Sequence, residues 1–114
     1  MDWYERTQGA TLVLQPVGRL DKDSSLGLEK ELSRRINAGA TQIVLDLREL
    51  EYIGSAGLRA ILVSAKQIEA KQGRFALCAL QTSVQEVFDV SGFTTIIEIQ
   101  TTLDEAIVFV STPP

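Results

Sequence analysis

Histidine is absent from the 114 residues of this chain, which takes imidazole out of its chemistry: no Ser-His or Cys-His nucleophilic pair and no histidine metal ligand is available. Cysteine is nearly absent. The one thiol, Cys78, has no partner for an internal disulfide and excludes zinc sites built from several cysteines, so a reducing compartment is expected. Positive charge is in deficit, with 11 basic against 15 acidic residues, a net charge of -4 and a pI near 4.8. The scattered Lys and Arg do not make the basic face that direct nucleic-acid binding needs. No apolar run approaches the length of a membrane span. The start, Met1-Asp2-Trp3-Tyr4-Glu5-Arg6, has neither the basic end nor the apolar stretch of a signal peptide, so no membrane partner and a cytoplasmic location are expected.

What is present is the composition of an ordinary globular domain, 45% hydrophobic and 23% charged. A chain of 12.5 kDa hides about two-thirds of its unfolded surface on folding. That is enough for one core, and a single domain over residues 1–114 is expected.

Ala10 to Val17, with Leu12, Val13, Leu14 and Val17, reads as a strand in which Pro16 marks an edge or a bulge. Trp3 to Gln8 adds an antiparallel strand through a turn near Gly9. Gly18-Arg19-Leu20-Asp21 then leaves the sheet. Leu28, Leu32 and Ile36, four apart, predict a helix from about Ser24, capped by Asp23 or Ser24 and closed at Gly39. Ile43-Val44-Leu45 and Phe75-Ala76-Leu77-Cys78 have the near-continuous apolar character of strands covered on both faces. Between them Leu58, Ile61, Leu62, Ala65 and Ile68 predict a second helix ending at Gly73. A short helix from about Ser83 to Val90, ended by Gly92, is followed by a strand over Thr95 to Ile99. A last helix carries Leu103, Ala106, Ile107 and Val110, and residues 111–114 are expected to fray. Strands alternating with helices imply a largely parallel sheet in an α/β fold.

The most unusual stretch is Tyr52-Ile53-Gly54-Ser55-Ala56-Gly57-Leu58, which sets two glycines and a serine at a strand-to-helix corner. Small residues let another molecule's backbone come close, and the first amides of a helix favour an anion. Two readings follow from the residues alone: Ser55 as a helix cap in a tight corner, or Ser55 as a functional hydroxyl.

Asp46-Leu47-Arg48-Glu49-Leu50-Glu51-Tyr52-Ile53-Gly54-Ser55-Ala56-Gly57-Leu58 resembles the signature of STAS domains, the bacterial anti-sigma-factor antagonist family. Gly18-Arg19-Leu20-Asp21 is similar to that family's Gly-x-Leu-Asp turn, Ala76-Leu77-Cys78-Ala79-Leu80 to its fourth strand, and Val87-Phe88-Asp89-Val90-Ser91-Gly92-Phe93 to its short third helix and exit. The resemblance implies a STAS-like α/β fold, with a mostly parallel central sheet of four to five strands and about four helices. It also implies a regulator that is not an enzyme and uses no cofactor. Ser55 would accept phosphate from a serine kinase that is also the anti-sigma factor, and a PP2C-type phosphatase would remove it. Asp21, Gly54, Ala56, Gly57, Leu58 and Arg59 would surround Ser55 in the partner-binding surface. Most members have Asp where this chain has Gly54, so a carboxylate usually beside the acceptor is missing. The alternatives are a scaffold that has lost phosphorylation and a phosphate- or nucleotide-binding sensor; the latter lacks the Gly-x-x-x-x-Gly-Lys-Ser/Thr loop.

Other residues have plainer readings. Asp21 is either a turn residue bonding its own backbone or a carboxylate near Ser55. Arg59 would be a solvated helical arginine or a contact for an acidic partner group, and Ser64 a neutral residue on the same outward face. Cys78 reads as a small core residue. Trp3 reads as packing over a sheet edge, whereas an exposed Trp3 would point to a weak homodimer. Asp46, Glu49 and Glu51 lack metal-ligand spacing and read as a solvated loop.

Overall fold

The computed structural model describes residues 2–113. In chain order the elements are β1 (Trp3–Gln8), β2 (Thr11–Pro16), β3 (Gly18–Leu20), α1 (Lys22–Asn37), β4 (Gln42–Asp46), β5 (Leu50–Ile53) and α2 (Ser55–Ala70). There follow β6 (Arg74–Cys78), α3 (Thr82–Ser91), a 3-10 turn (Phe93–Thr95), β7 (Glu98–Gln100) and α4 (Leu103–Ser111). The central sheet has the order β1-β2-β4-β6-β7. Its β2–β4, β4–β6 and β6–β7 pairs are parallel, and only the β1–β2 hairpin is antiparallel. The expected α/β architecture with four helices is therefore present.

Alternation along the strands divides the interior in two. Leu12 and Leu14, Ile43 and Leu45, and Phe75 and Leu77 join Leu28, Leu32 and Ile36 of α1, Ile61 and Ile68 of α2, and Val84 and Phe88 of α3 in the larger core. The intervening Val13, Val44, Ala76 and Cys78 meet Ala106, Ile107 and Val110 of α4 on the other face. Pro16 falls at neither an outer edge strand nor a bulge. The β2–β4 ladder spans only Leu12 to Leu14, so Pro16 lies past it, paired with Trp3 alone, and its missing amide breaks no bond to β4.

Several boundaries differ from the sequence expectation for local reasons. Asp21, not Asp23 or Ser24, caps α1, because the chain turns directly from β3 into the helix. Gly73 is not the left-handed stop of α2. Gln72 takes the positive φ of 60°, and Gly73 is needed because a Cβ there would lie 2.6 Å from the Thr41 carbonyl oxygen. The strand expected over Thr95 to Ile99 begins only at Glu98, since Phe93 to Thr95 continue as a 3-10 turn behind Gly92. At the end of the chain Ser111 is helical and the Thr112 amide donates to the Val108 carbonyl at 3.1 Å, in place of fraying; Pro114 lies outside the described residues.

Two strands are not expected from the sequence: β3, where Gly18-Arg19-Leu20-Asp21 reads only as leaving the sheet, and β5. Residues 48–54 read as a loop, yet Leu50 to Ile53 pair in parallel with β3 as a separate two-stranded sheet. Leu50 and Ile53 are buried with Leu20. This ribbon carries the chain from β4 to the start of α2.

Candidate functional site

The β3–β5 ribbon sets the corner. Leu20 pairs with Ile53, and the Gly54 amide donates to the Leu20 carbonyl at 2.9 Å, while the Gly54 carbonyl accepts from the Leu58 amide at 3.0 Å. Gly54 is thus the N-cap of α2, in an extended conformation, and Ser55 is the first helical residue. The sequence reading of Ser55 as the cap is corrected by one position. Having no side chain, Gly54 offers the helix no side-chain cap, and the first turn of α2 carries no acidic residue, whereas α1 and α4 have both a side-chain cap and an acid there. The Ser55 side chain, released from capping, is exposed.

Two residues later the corner is tightly packed. Gly57 is buried, and a Cβ on it would lie 2.7 Å from Ile53 Cγ1, 2.9 Å from Leu20 Cβ and 3.0 Å from the Leu20 carbonyl oxygen. Glycine is required because the first turn of α2 presses directly on the ribbon. Ala56 is half-buried, and Leu58 is half-buried against the larger core. Arg59 is exposed, with Nη1 3.5 Å from Glu29 Oε1. With the Gln67 to Ser33 hydrogen bond, that contact shows α1 and α2 lying side by side in the same direction. Leu26, at the same end of α1, is 54% exposed.

Asp21 follows Leu20 as Gly54 follows Ile53, so the two lie next to each other across the ribbon. Its carboxylate is committed to α1: it accepts from the Asp23 and Ser24 amides at 3.2 and 3.1 Å, and the Ser24 hydroxyl accepts from the Asp21 amide. Those hydrogen bonds, the Ser24 amide foremost, hold its carboxyl below the ordinary aspartate value. Both readings of Asp21 are therefore partly met: it is a backbone-bonding turn residue, and it stands at the edge of the corner.

Two side chains of the corner were missed as site residues. Arg19 and Tyr52 are partners across the ribbon, and the Arg19 guanidinium carbon sits 4.1 Å from the centroid of the Tyr52 ring, a cation–π contact. The ring leans over Gly54: a Cβ there would lie 3.1 Å from the Tyr52 hydroxyl oxygen. The signal that could have found them is the pairing of Gly18-Arg19-Leu20 with Leu50-Glu51-Tyr52-Ile53, which stays hidden while residues 48–54 read as a loop.

The remaining candidates lie elsewhere. Asp46 is not in a solvated loop; it is buried at the end of β4, with Oδ2 2.9 Å from Arg48 Nε. Glu49 and Glu51 are exposed. Ser64 faces inward, not outward, and donates to the Ala60 carbonyl at 2.9 Å. Cys78 is fully buried, and desolvation pushes its thiol up to about 12. Trp3 is half-buried against the larger core, which removes the reason to expect a dimer through it. A concavity of about 140 Å³ lined by Tyr4, Arg6, Asp46 and Arg48 contains no residue of the corner. Among the described residues no helix is long and apolar enough to cross a membrane.

Proteins assigned as anti-sigma factor antagonists share this layout. Over 79 residues the chain is 44% identical to BtrV of Bordetella bronchiseptica, assigned as an anti-sigma factor antagonist, covering 69% of this chain and 68% of BtrV. A crystal structure assigned to the same class from Thermotoga maritima superposes with a TM-score of 0.91 at 25% identity, covering 96% of this chain and 95% of that one. The Bacillus cell fate determinant SpoIIAA, solved in its phosphorylated form, superposes with a TM-score of 0.74 at 26% identity, covering 96% and 99%. Residues 4–106 match the model of the STAS domain, and the chain belongs to that family, alongside anti-sigma factor antagonists.

Proposed function

We propose that this chain is an anti-sigma factor antagonist whose docking to a partner, at once serine kinase and anti-sigma factor, is switched off by phosphate on Ser55. The observation that carries the reading is the exposed hydroxyl of Ser55 on the first residue of α2, at the acceptor position of the family motif. Around it Leu26 and Tyr52 expose apolar surface, 54% and 41%. In phosphorylation Ser55 Oγ bonds to the γ-phosphorus of ATP as the bond to the bridging oxygen breaks, ADP leaves with that electron pair, and the hydroxyl proton passes to a base of the kinase. Hydrolysis by a PP2C-type phosphatase returns the hydroxyl and inorganic phosphate.

The same modification is tolerated by the fold and hostile to the interface. A phosphate adds about -1.5 to -2 charges at a helix start that holds no acid of its own, where an anion gains about 0.3–1 kcal/mol. A partner packed over the corner meets that charge and bulk directly, on a chain already at net -4. Ser55→Asp should therefore melt close to the parent chain while binding the partner at least about tenfold more weakly, a loss of about 1.4 kcal/mol. Incubated with ATP and the cognate kinase, the parent should gain one phosphate by intact mass and Ser55→Ala none. Phosphate that persists on Ser55→Ala, or full-strength binding by Ser55→Asp, overturns the proposal.

A further inference from the structure

Arg19 and Tyr52 pair across the ribbon that sets the corner, and both are exposed beside its serine, outside the buried core. The guanidinium stacks on one face of the ring at 4.1 Å, and the phenol oxygen leans over Gly54, next to Ser55. Among the described residues the ion pairs of arginine engage Arg34, Arg35, Arg48 and Arg59, and none engages Arg19. Gly54 brings no carboxylate to compete for it. The nearest acid, Asp21, is occupied in capping α1, Glu51 precedes Tyr52 on β5, and Arg59 on α2 already meets Glu29. Among the described residues, a cation that stacks on Tyr52 and acts on Asp21 only from beyond salt-bridge distance, and a phenol hydroxyl with no hydrogen-bond partner, thus border the helix start on which Ser55 stands.

Resting on the reading that Ser55 is phosphorylated, we propose that Arg19 and Tyr52 form a receptor for its phosphoryl group, Tyr52 donating a hydrogen bond and Arg19 supplying the facing charge. Stacking on Tyr52 keeps the guanidinium plane in place, so its donors need little ordering when the anion arrives. Phosphorylation then alters the docking surface twice: it adds an anion, and it withdraws an arginine and a tyrosine from any partner that used them.

The receptor is tested without kinase or partner by encoding phosphoserine directly at position 55 and titrating it by phosphorus NMR. In the otherwise unchanged chain the second ionisation should lie below its ordinary value of about 6, because a nearby cation favours the dianion. Arg19→Gln should raise it by about half a unit or more, Arg19→Lys should retain part of the depression, and Tyr52→Phe should raise it less than Arg19→Gln. Arg34→Gln, in the last turn of α1, should leave it unchanged. Coincident titrations of the parent and Arg19→Gln, both with native circular dichroism, overturn the receptor. Failure of the switch itself is read separately, as undiminished partner binding by the phosphoserine chain.

Discussion

At Gly57 one hydrogen atom separates a packed corner from a clash. A methyl group there would meet Leu20 and Ile53 at 2.7–3.0 Å, and one of the contacts is a backbone carbonyl of the ribbon, which cannot rotate aside. Gly57→Ala should destabilise the fold by about 1–3 kcal/mol, the usual range for overpacking, despite the better helix propensity of alanine. Urea melts of the two proteins check this, and equal midpoints would show that the ribbon yields. At Gly54, by contrast, the nearest atom to an added methyl is the end of the Tyr52 side chain, and that ring has solvent to move into. The two glycines of one motif therefore differ: the second is demanded by packing, and the first leaves room that Tyr52 fills. Both were visible in the sequence as small residues at a corner, but which of them was sterically required was not, since Leu20 lies far away along the chain.

Among the elements, α1 and the ribbon are coupled through Asp21, which ends one and caps the other. Its carboxyl is held below the ordinary value by the Ser24 and Asp23 amides and the Ser24 hydroxyl, so the folded state binds its proton less readily than the unfolded chain does. A depressed pKa gives stability that is fully present above the unfolded value and is lost as pH falls through the folded one. Asp21→Ala should thus melt below the parent by a constant margin between pH 5 and 8, about the range where the carboxylate is charged in both states, and the margin should narrow below about pH 4. Thermal melts taken from about pH 8 down to below about pH 4 read it, and a margin that stays constant through the acid end would mean that the charge contributes nothing. The helices themselves were legible, because apolar positions recurring every four residues, such as Leu28, Leu32 and Ile36, need no knowledge of the partner. The capping residue was displaced by two or three positions, because several residues near 21–24 have capping chemistry and the exit from β3 chooses among them.

Across the whole molecule, switching surface and interior are kept apart. Ser55 stands at the exposed start of α2, while the second core, Val13, Val44, Ala76 and Cys78 under α4, lies on the other face of the central sheet. Cys78 reports on that core, since its thiol is fully buried and pushed up to about 12 by desolvation. Alkylation of the native protein should proceed only through opening of the β6–α4 layer, so its rate should rise with urea in step with unfolding. Ser55→Asp should leave that rate nearly unchanged. Rapid labelling of the native chain would show instead that α4 opens locally. The sequence by itself determined the chain order of the five central-sheet strands and the four helices, the buried strands and the serine at the corner, because these rest on apolar periodicity, on glycine and serine spacing and on a motif carried by adjacent residues. Only the tertiary structure decided the β3–β5 ribbon, the burial of Asp46 and Ser64, and the meeting of Arg19 with Tyr52. Those depend on which distant segments pair and in what register, and that is set by the fit of Leu20, Leu50 and Ile53 into a common core.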